Sequence, residues 1–527
     1  MRKQLSKSWL TSLFWLRFLI IILLVIGVFF RFVNIDKKVY WGDEVFSSLR
    51  ISGYMQSEMN EQLSNGSLLT IKDLNKYQYP NSEKNTIDTI KGIIVEDSQI
   101  LPLYILMTRF WVQHFGDSVA AVRSFSAFTS LFAFPFIYLL CEELFGSSLI
   151  GWMAIALVAV SPVEVVYAQE ARAYSLWIVA ILMSSFAMLR AMRLKTKVSW
   201  WIYAATLVVG FYTHIFFTLV ALAQGIYVIT IERFRWSKTT IDYLISFFAG
   251  FITFVPWLWI IITNPQPQAV DWANAKQTLF GSVARWAGIL SRTFLDLGIS
   301  PSDSGKIKFA LIPLIIIIFA LIFYSIYILC RSTPKKVWLF VLTLIGSLGL
   351  PLFILDFVFQ KRYATTRYTL PLTLGIQLAV AYLLTTKLTS ISPKVWQRKL
   401  WLLVVFMIIT SGVISCSLNS QAKIWWNQFP ERYQEYPKTA NIISQSNQPL
   451  LISDSGIIPP IQILGHLVDP KVQFQIVKKN SLPEVTNGFT DIFLFNCSDY
   501  LKAGIEKIYN SKLQQINHLL WKVTKST

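Results

Sequence analysis

Charge is what this sequence has least of. Asp, Glu, Lys and Arg make up only 15% of the 527 residues, against about 25% in an average soluble domain. That excludes an ordinary cytosolic enzyme, which at this length would form two to four domains with charged surfaces. Cysteine is also scarce. There are four, none in a CxxC spacing, and Cys141 and Cys330 end apolar runs, so neither a disulfide framework nor a zinc site is indicated. Internal repeats and low-complexity tracts are absent as well. What the chain does have is 54% hydrophobic residues, a mean hydropathy of +0.49 and 15% aromatics, with 19 Trp, 21 Tyr and 38 Phe. Amphipathic rings in such numbers gather where lipid meets water. The net charge of +19 comes from Lys and Arg in short clusters between apolar runs. That pattern orients a membrane protein and does not make a nucleic-acid face.

A membrane crossing takes about 20 mostly apolar residues. The first run, Trp15–Phe32, follows Arg2, Lys3 and Lys7 and has no small-residue cleavage site after it, so it reads as an uncleaved first helix. Ten more runs lie near 119–141, 148–166, 174–192, 199–213, 215–231, 241–262, 308–330, 337–356, 367–386 and 399–417. The expectation is therefore an α-helical polytopic membrane protein with about eleven transmembrane helices. With the N-terminus cytoplasmic, four basic loops fall inside: Arg190 to Lys197, Arg233 to Lys238, Arg331 to Lys336, and Lys387, Lys394, Arg398 and Lys399. All four obey the positive-inside rule. The expected location is the cell inner (plasma) membrane.

Three segments then fall on the extracytoplasmic face. The first loop, 33–118, is longer than a connection requires, which points to function. Its run Leu101–Phe115 is too short to span and reads as an interfacial helix. A second loop covers Thr263–Lys306. The tail, 419–527, alternates strand-like runs such as PLLIS and DIFLF with polar helical stretches, and reads as a small soluble α/β domain after a membrane domain of 1–418.

Candidate chemistry concentrates on that outer face. Asp43 and Glu44 stand just past the first span. Adjacent carboxylates repel, and near a low-dielectric boundary one of them is pushed toward a general base's working range. Neighbouring residues point different ways, so one acid faces the reaction and the other is held by a cation or backbone amides. The bland alternative is an acidic pair at a helix N-terminus. Glu170 and Arg172 lie near membrane depth, where ionisable groups need partners; alone, they could equally be a structural ion pair. Arg362, Arg367 and Tyr368 belong to a basic-aromatic cluster before the tenth span. Arginine's planar fork suits phosphate, and headgroup snorkelling is the competing explanation. His214, in a tight outer turn, could donate to phosphate or cap a helix. Tyr174 and Asp97, within the motifs quoted next, complete the substrate-binding candidates.

WGDEVFSSLR, EDSQILPLYILMTRFW, SPVEVVYAQEARAYSLW and RYTLP, in that order over about the first 385 residues, strongly resemble the GT-C membrane glycosyltransferases of family 39. Protein O-mannosyltransferases and the lipid A aminoarabinose transferase belong to this group. The resemblance implies the GT-C fold and transfer of a sugar from a polyprenyl-phosphate donor to a lipid, glycan or protein acceptor. It places Asp43, with Glu44 beside it, at the catalytic position. Relatives commonly carry His-Pro-Pro-Leu-Tyr where this chain has Ile100-Leu101-Pro102-Leu103-Tyr104, so a role tied to that His has no counterpart. A divalent metal assists some GT-C enzymes, but no ligand set is spelled here. The 419–527 domain matches no family.

The expected reaction is inverting: a carboxylate takes the acceptor's proton as lipid phosphate leaves, stabilised by cations and hydrogen bonds. A transporter or lipid flippase is the rival from another class. It would set its polar residues near the midplane in repeated halves, whereas here they crowd one face. An inactive GT-C scaffold would have lost some of Asp43, Glu170 and Arg367, and all three are present.

Overall fold

The computed structural model describes residues 7–266, 275–300, 305–390, 395–484 and 488–525. Arg2, Lys3, Lys394 and parts of the 263–306 loop lie outside them. The chain packs as two compact units, and each draws on separate stretches of sequence.

The first unit comprises the residues up to Ile35, Ser98–Tyr104 and Arg123–Gln421. Each of the eleven apolar runs falls on helix. Among the described residues, seven helices are long and apolar enough to cross a membrane, or eight if the bent pair Ser148–Ala159 and Pro162–Ala168 is one span. The runs at 15–32, 199–213 and 215–231 give shorter apolar helices, Ile20–Phe32, Lys197–Phe211 and Phe217–Ile231. Helices Tyr174–Leu194 and Leu370–Thr389 are mostly buried. Lys238–Thr263, Ile312–Ser332 and Val395–Gln421 instead turn Trp259, Phe323 and Phe406 outward. Exposed apolar faces of that extent suit a lipid solvent.

The bent pair turns through 61°. Pro162 opens its second half, and without an N–H it cannot extend the ladder of the first. Buried Arg31 compensates. Its guanidinium donates to the carbonyls of Val158 at 3.2 Å and Ala159 at 3.0 Å, and to Ser130 Oγ at 3.0 Å. The helices approach closely because Gly27 has no side chain; a Cβ there would lie 2.6 Å from the Ala159 oxygen. Irregular backbone at membrane depth requires such internal partners.

The second unit comprises Asp36–Asp97, Ile105–Val122 and Ala422–Thr527. Its centre is a six-stranded sheet of β1 (Asn65–Leu69), β2 (Pro449–Ser453), β3 (Gln473–Val477), β4 (Asp491–Phe495), β5 (Ser511–Gln515) and β6 (Leu520–Lys525), in the order β1-β3-β2-β4-β6-β5. The PLLIS and DIFLF runs are β2 and β4. β2 lies parallel to both β3 and β4 and is buried along its whole length, as expected of a near-continuous apolar strand. Leu450, Ile452, Leu494, Leu501 and Ile505 form the core beneath helix Asp499–Ile508.

The expected division at 418/419 follows chain order, whereas packing groups the first loop with the tail. β1, from the first loop, pairs antiparallel with β3 of the tail, Leu69 opposite Phe474. The Leu101–Phe115 run forms helix Pro102–Phe115, with Met107, Phe110 and Phe115 exposed. Buried Arg109 anchors that helix by donating to the carbonyls of Ile51 at 2.6 Å and Ser52 at 2.9 Å.

Candidate active site

In the first unit, most of the expected substrate-binding residues gather around one imidazole. His214 stands in the turn between helices Lys197–Phe211 and Phe217–Ile231. Its ring stacks on Trp177, with centroids 4.0 Å apart and planes 9° apart. Tyr174 and Tyr368 flank it, each at 6.1 Å. His214 Nδ1 accepts the N–H of Phe216 at 3.2 Å, so in the neutral ring Nε2 carries the proton and is a donor. Burial, with the charges of Arg172 and Arg367 adding to it, lowers the imidazole's pKa to about 3. A second positive charge is disfavoured beside two guanidiniums.

The elements that hold the cations are built from the motifs. Between helices Pro162–Ala168 and Tyr174–Leu194 the chain makes a tight turn, with the Arg172 N–H on the Glu170 carbonyl at 2.7 Å. Ser126 Oγ donates to the Arg172 carbonyl at 3.3 Å, and Tyr104 shares a 2.7 Å hydrogen bond with the same hydroxyl. Gln169 ties this turn to the end of the first helix by donating to the carbonyls of Phe30 and Val33 at 2.8 and 2.9 Å. Arg367 lies over the Tyr368 ring at 5.1 Å, and Tyr368 meets Phe216 edge-on at 5.0 Å. The buried, edge-to-face pair Tyr167–Tyr174, 5.0 Å apart, lies within electrostatic reach of both Arg367 and buried Glu170. The arrangement is a cation pair and a neutral N–H donor walled by aromatic rings, a setting suited to an oxyanion.

Arg362 belongs to a different group. It is exposed and neighbours Arg285, whose pKa burial, with the Arg362 charge adding to it, lowers to about 10 against the opposing pull of Asp356. Arg285 pairs with Asp356 at 3.6 Å. Asp356 in turn accepts Trp286 Nε1 at 3.2 Å and the N–H groups of Tyr363 and Ala364 at 2.9 and 3.1 Å.

In the second unit, Asp43 and Glu44 occupy the first turn of helix Gly42–Ser52. Glu44 is fully buried, and its carboxylate accepts the N–H of Trp41 at 3.4 Å. That is a helix-capping role. Asp43 is only partly buried. Asp97 closes helix Thr86–Glu96 and accepts from Arg50 Nε at 2.5 Å, while Glu96 takes the other arm of the same buried guanidinium at 2.8 Å. Arg50 therefore holds both acids.

Sequence reasoning missed Trp177 and Phe216. Trp177 is three residues after Tyr174 and so shares its helix face, a signal that could have found it. Phe216 had none beyond lying near His214. Among the described residues, no group of three or more His, Cys, Asp or Glu is placed to hold a metal.

Residues 101–260 match the dolichyl-phosphate-mannose-protein mannosyltransferase family. That stretch holds Glu170, Arg172, Tyr174 and His214. The chain is also similar to the crystal structure of ArnT from Cupriavidus metallidurans in the apo state, at a TM-score of 0.51 and 12% identity over 97% of this chain and 98% of that one. It has the fold of a GT-C membrane glycosyltransferase. ArnT from the same organism bound to undecaprenyl phosphate gives a TM-score of 0.48 at 13% identity, covering 95% of this chain and 97% of that one. The oligosaccharyltransferase AglB from Archaeoglobus fulgidus, in complex with an inhibitory peptide and a dolichol-phosphate, gives 0.45 at 11%, covering 87% and 64%. No curated protein sequence matches the chain. The matched family model belongs to transferases, and the chain has the GT-C multi-pass membrane fold.

Proposed function

We propose that the protein transfers a sugar from a polyprenyl-phosphate donor to an acceptor on the extracytoplasmic face of the membrane, with inversion. The observation that carries this is the cluster around His214. Arg172 and Arg367 supply charge for a phosphate, the neutral imidazole supplies an N–H, and the surrounding rings offer surfaces for a sugar or an isoprenoid. The matched family takes its name from a dolichyl-phosphate-mannose donor, which is this chemistry.

Phosphate is a good leaving group once its charge is met, so the cations and the N–H serve where a dedicated acid would otherwise be needed. Asp43 is the proposed base, taking the proton of the acceptor hydroxyl as the anomeric bond to phosphate breaks. Glu44 supports it by capping the helix. The topology proposed alongside puts the N-terminus in the cytoplasm and residues 419–527 outside the inner membrane, following the positive-inside loops. The direct test is binding of undecaprenyl phosphate to the purified protein in nanodiscs, compared with Arg367→Ala. Equal affinity in the two would remove the basis of the reading.

A further inference from the structure

Trp177 is fully buried, and its indole N–H has no hydrogen-bond partner among the described residues. An indole nitrogen can only donate. Unpaired in the interior, it has lost the hydration it would have in water and gained nothing in return, so such a group calls for a physical reason. Two other indoles, Trp41 and Trp200, share the condition. What sets Trp177 apart is where its ring lies. It stacks on His214, with centroids 4.0 Å apart and planes 9° apart. Around that imidazole stand Tyr174 and Tyr368, each at 6.1 Å, and Phe216 at 5.5 Å. Arg367 lies over the Tyr368 ring. Trp200, by contrast, is near the start of helix Lys197–Phe211, about 15 Å of helix away from the turn that carries His214.

We infer that the Trp177 indole N–H is a further binding group for the carrier lipid, donating to a phosphate oxygen beside the His214 N–H. Each N–H lies in the plane of its own ring, and the two nearly parallel rings are spaced so that one tetrahedral phosphate can bridge them. Depth favours phosphate over sugar. Trp177 is three residues past Tyr174, about 4.5 Å further along helix Tyr174–Leu194. In the proposed topology that helix runs inward from the outer face, so Trp177 is on the isoprenoid side of the cluster. The identity of the lipid rests on the proposed function; the unpaired N–H does not.

The test uses the full chain in nanodiscs, with lipid occupancy read by native mass spectrometry. Replacing Trp177 by 3-benzothienylalanine puts sulfur where the N–H was and keeps the fused ring and its stack. Undecaprenyl phosphate should then bind about two- to tenfold more weakly, at unchanged melting temperature. Undecaprenol, the same lipid without phosphate, should bind as before. Trp177→Phe, which keeps one ring under the imidazole but loses the N–H, should cost at least as much. The same analogue at Trp200 should change nothing. Undecaprenyl-phosphate mannose should lose affinity by the same factor as undecaprenyl phosphate. Parent-like binding of undecaprenyl phosphate by the 177 analogue overturns the inference. So does an equal loss for undecaprenol, which would mean apolar packing, or a loss confined to the mannosyl lipid, which would give the N–H to the sugar. Arg367→Ala separates this from the proposed function. A weakened Arg367→Ala with an unaffected analogue sinks the inference alone, whereas a weakened analogue with a parent-like Arg367→Ala keeps it and removes the proposed phosphate cation.

Discussion

The cations and the acids of this protein are held in opposite ways. Arg172, Arg367 and His214 are set among rings: Trp177 under the imidazole, Tyr368 under a guanidinium, Phe216 and Tyr174 at the edges. Asp43 and Glu44 are set by backbone, at a helix start whose capping bond from the Trp41 N–H to Glu44 holds the turn. Rings give a soft, apolar wall that a lipid phosphate and its sugar can enter and leave. A capped helix start gives rigid aim, which proton transfer needs. The difference suggests where each variant should show itself: changes at the acids in turnover, changes at the cations in affinity.

The largest effect tests the acids. Asp43→Asn keeps the shape and removes the proton acceptor, so kcat should drop about 10²–10⁴-fold while undecaprenyl phosphate binds as before. Glu44→Gln should cost far less, since an amide oxygen still accepts the Trp41 N–H. Were Glu44→Gln inactive and Asp43→Asn nearly normal, the two roles would be exchanged and the comparison would invert.

Next come the cations. Loss of one charged hydrogen-bond partner costs about 1.5–3 kcal/mol, roughly 10–150-fold in affinity. Arg367→Ala should weaken undecaprenyl phosphate binding by that factor, and Arg367→Lys by less, because charge survives but the fork does not. Exposed Arg362, grouped with Arg285 and Asp356, should matter about twofold at most when changed to Ala. Equal losses at Arg362 and Arg367 would move the phosphate pole to the Asp356 knot.

These expectations also show what the sequence made legible. The apolar runs gave helices nearly residue for residue, because hydropathy of that strength leaves little choice in lipid. β2 and β4 were legible as short apolar runs between polar ones. β1 was not: Asn-Gly-Ser-Leu-Leu carries no strand signal of its own and is a strand only because β3, some four hundred residues later, offers it an edge. For the same reason the first loop and the tail read as separate. In the site, Arg172, Tyr174, His214, Arg367 and Tyr368 were each visible as polar or aromatic residues at helix ends. Trp177 hid inside an apolar helix, where aromatics are ordinary, and Asp97 looked available until Arg50 claimed it.

An effect smaller than that of Arg367 is the most specific to the cation cluster. His214, with its pKa lowered to about 3 between Arg172 and Arg367, stays neutral from pH 5 to 8 and gives one uncharged N–H. Removing such a donor costs about 0.5–1.5 kcal/mol, or two- to tenfold in affinity. His214→Phe, which keeps a ring on Trp177, should weaken undecaprenyl phosphate binding by that factor, with a ratio to the parent that stays flat across this pH range. An imidazole titrating near its ordinary 6.5 would instead make the parent bind progressively better below pH 6.5, as a third cation appeared. Stability should show the matching sign. The folded state binds this proton only near pH 3, whereas the unfolded chain binds it near 6.5, so the contribution is complete above 6.5 and is lost as pH falls toward 3. Melting temperature should therefore fall more steeply on acidification in the parent than in His214→Phe. Identical slopes would mean that the imidazole is not held between the two guanidiniums.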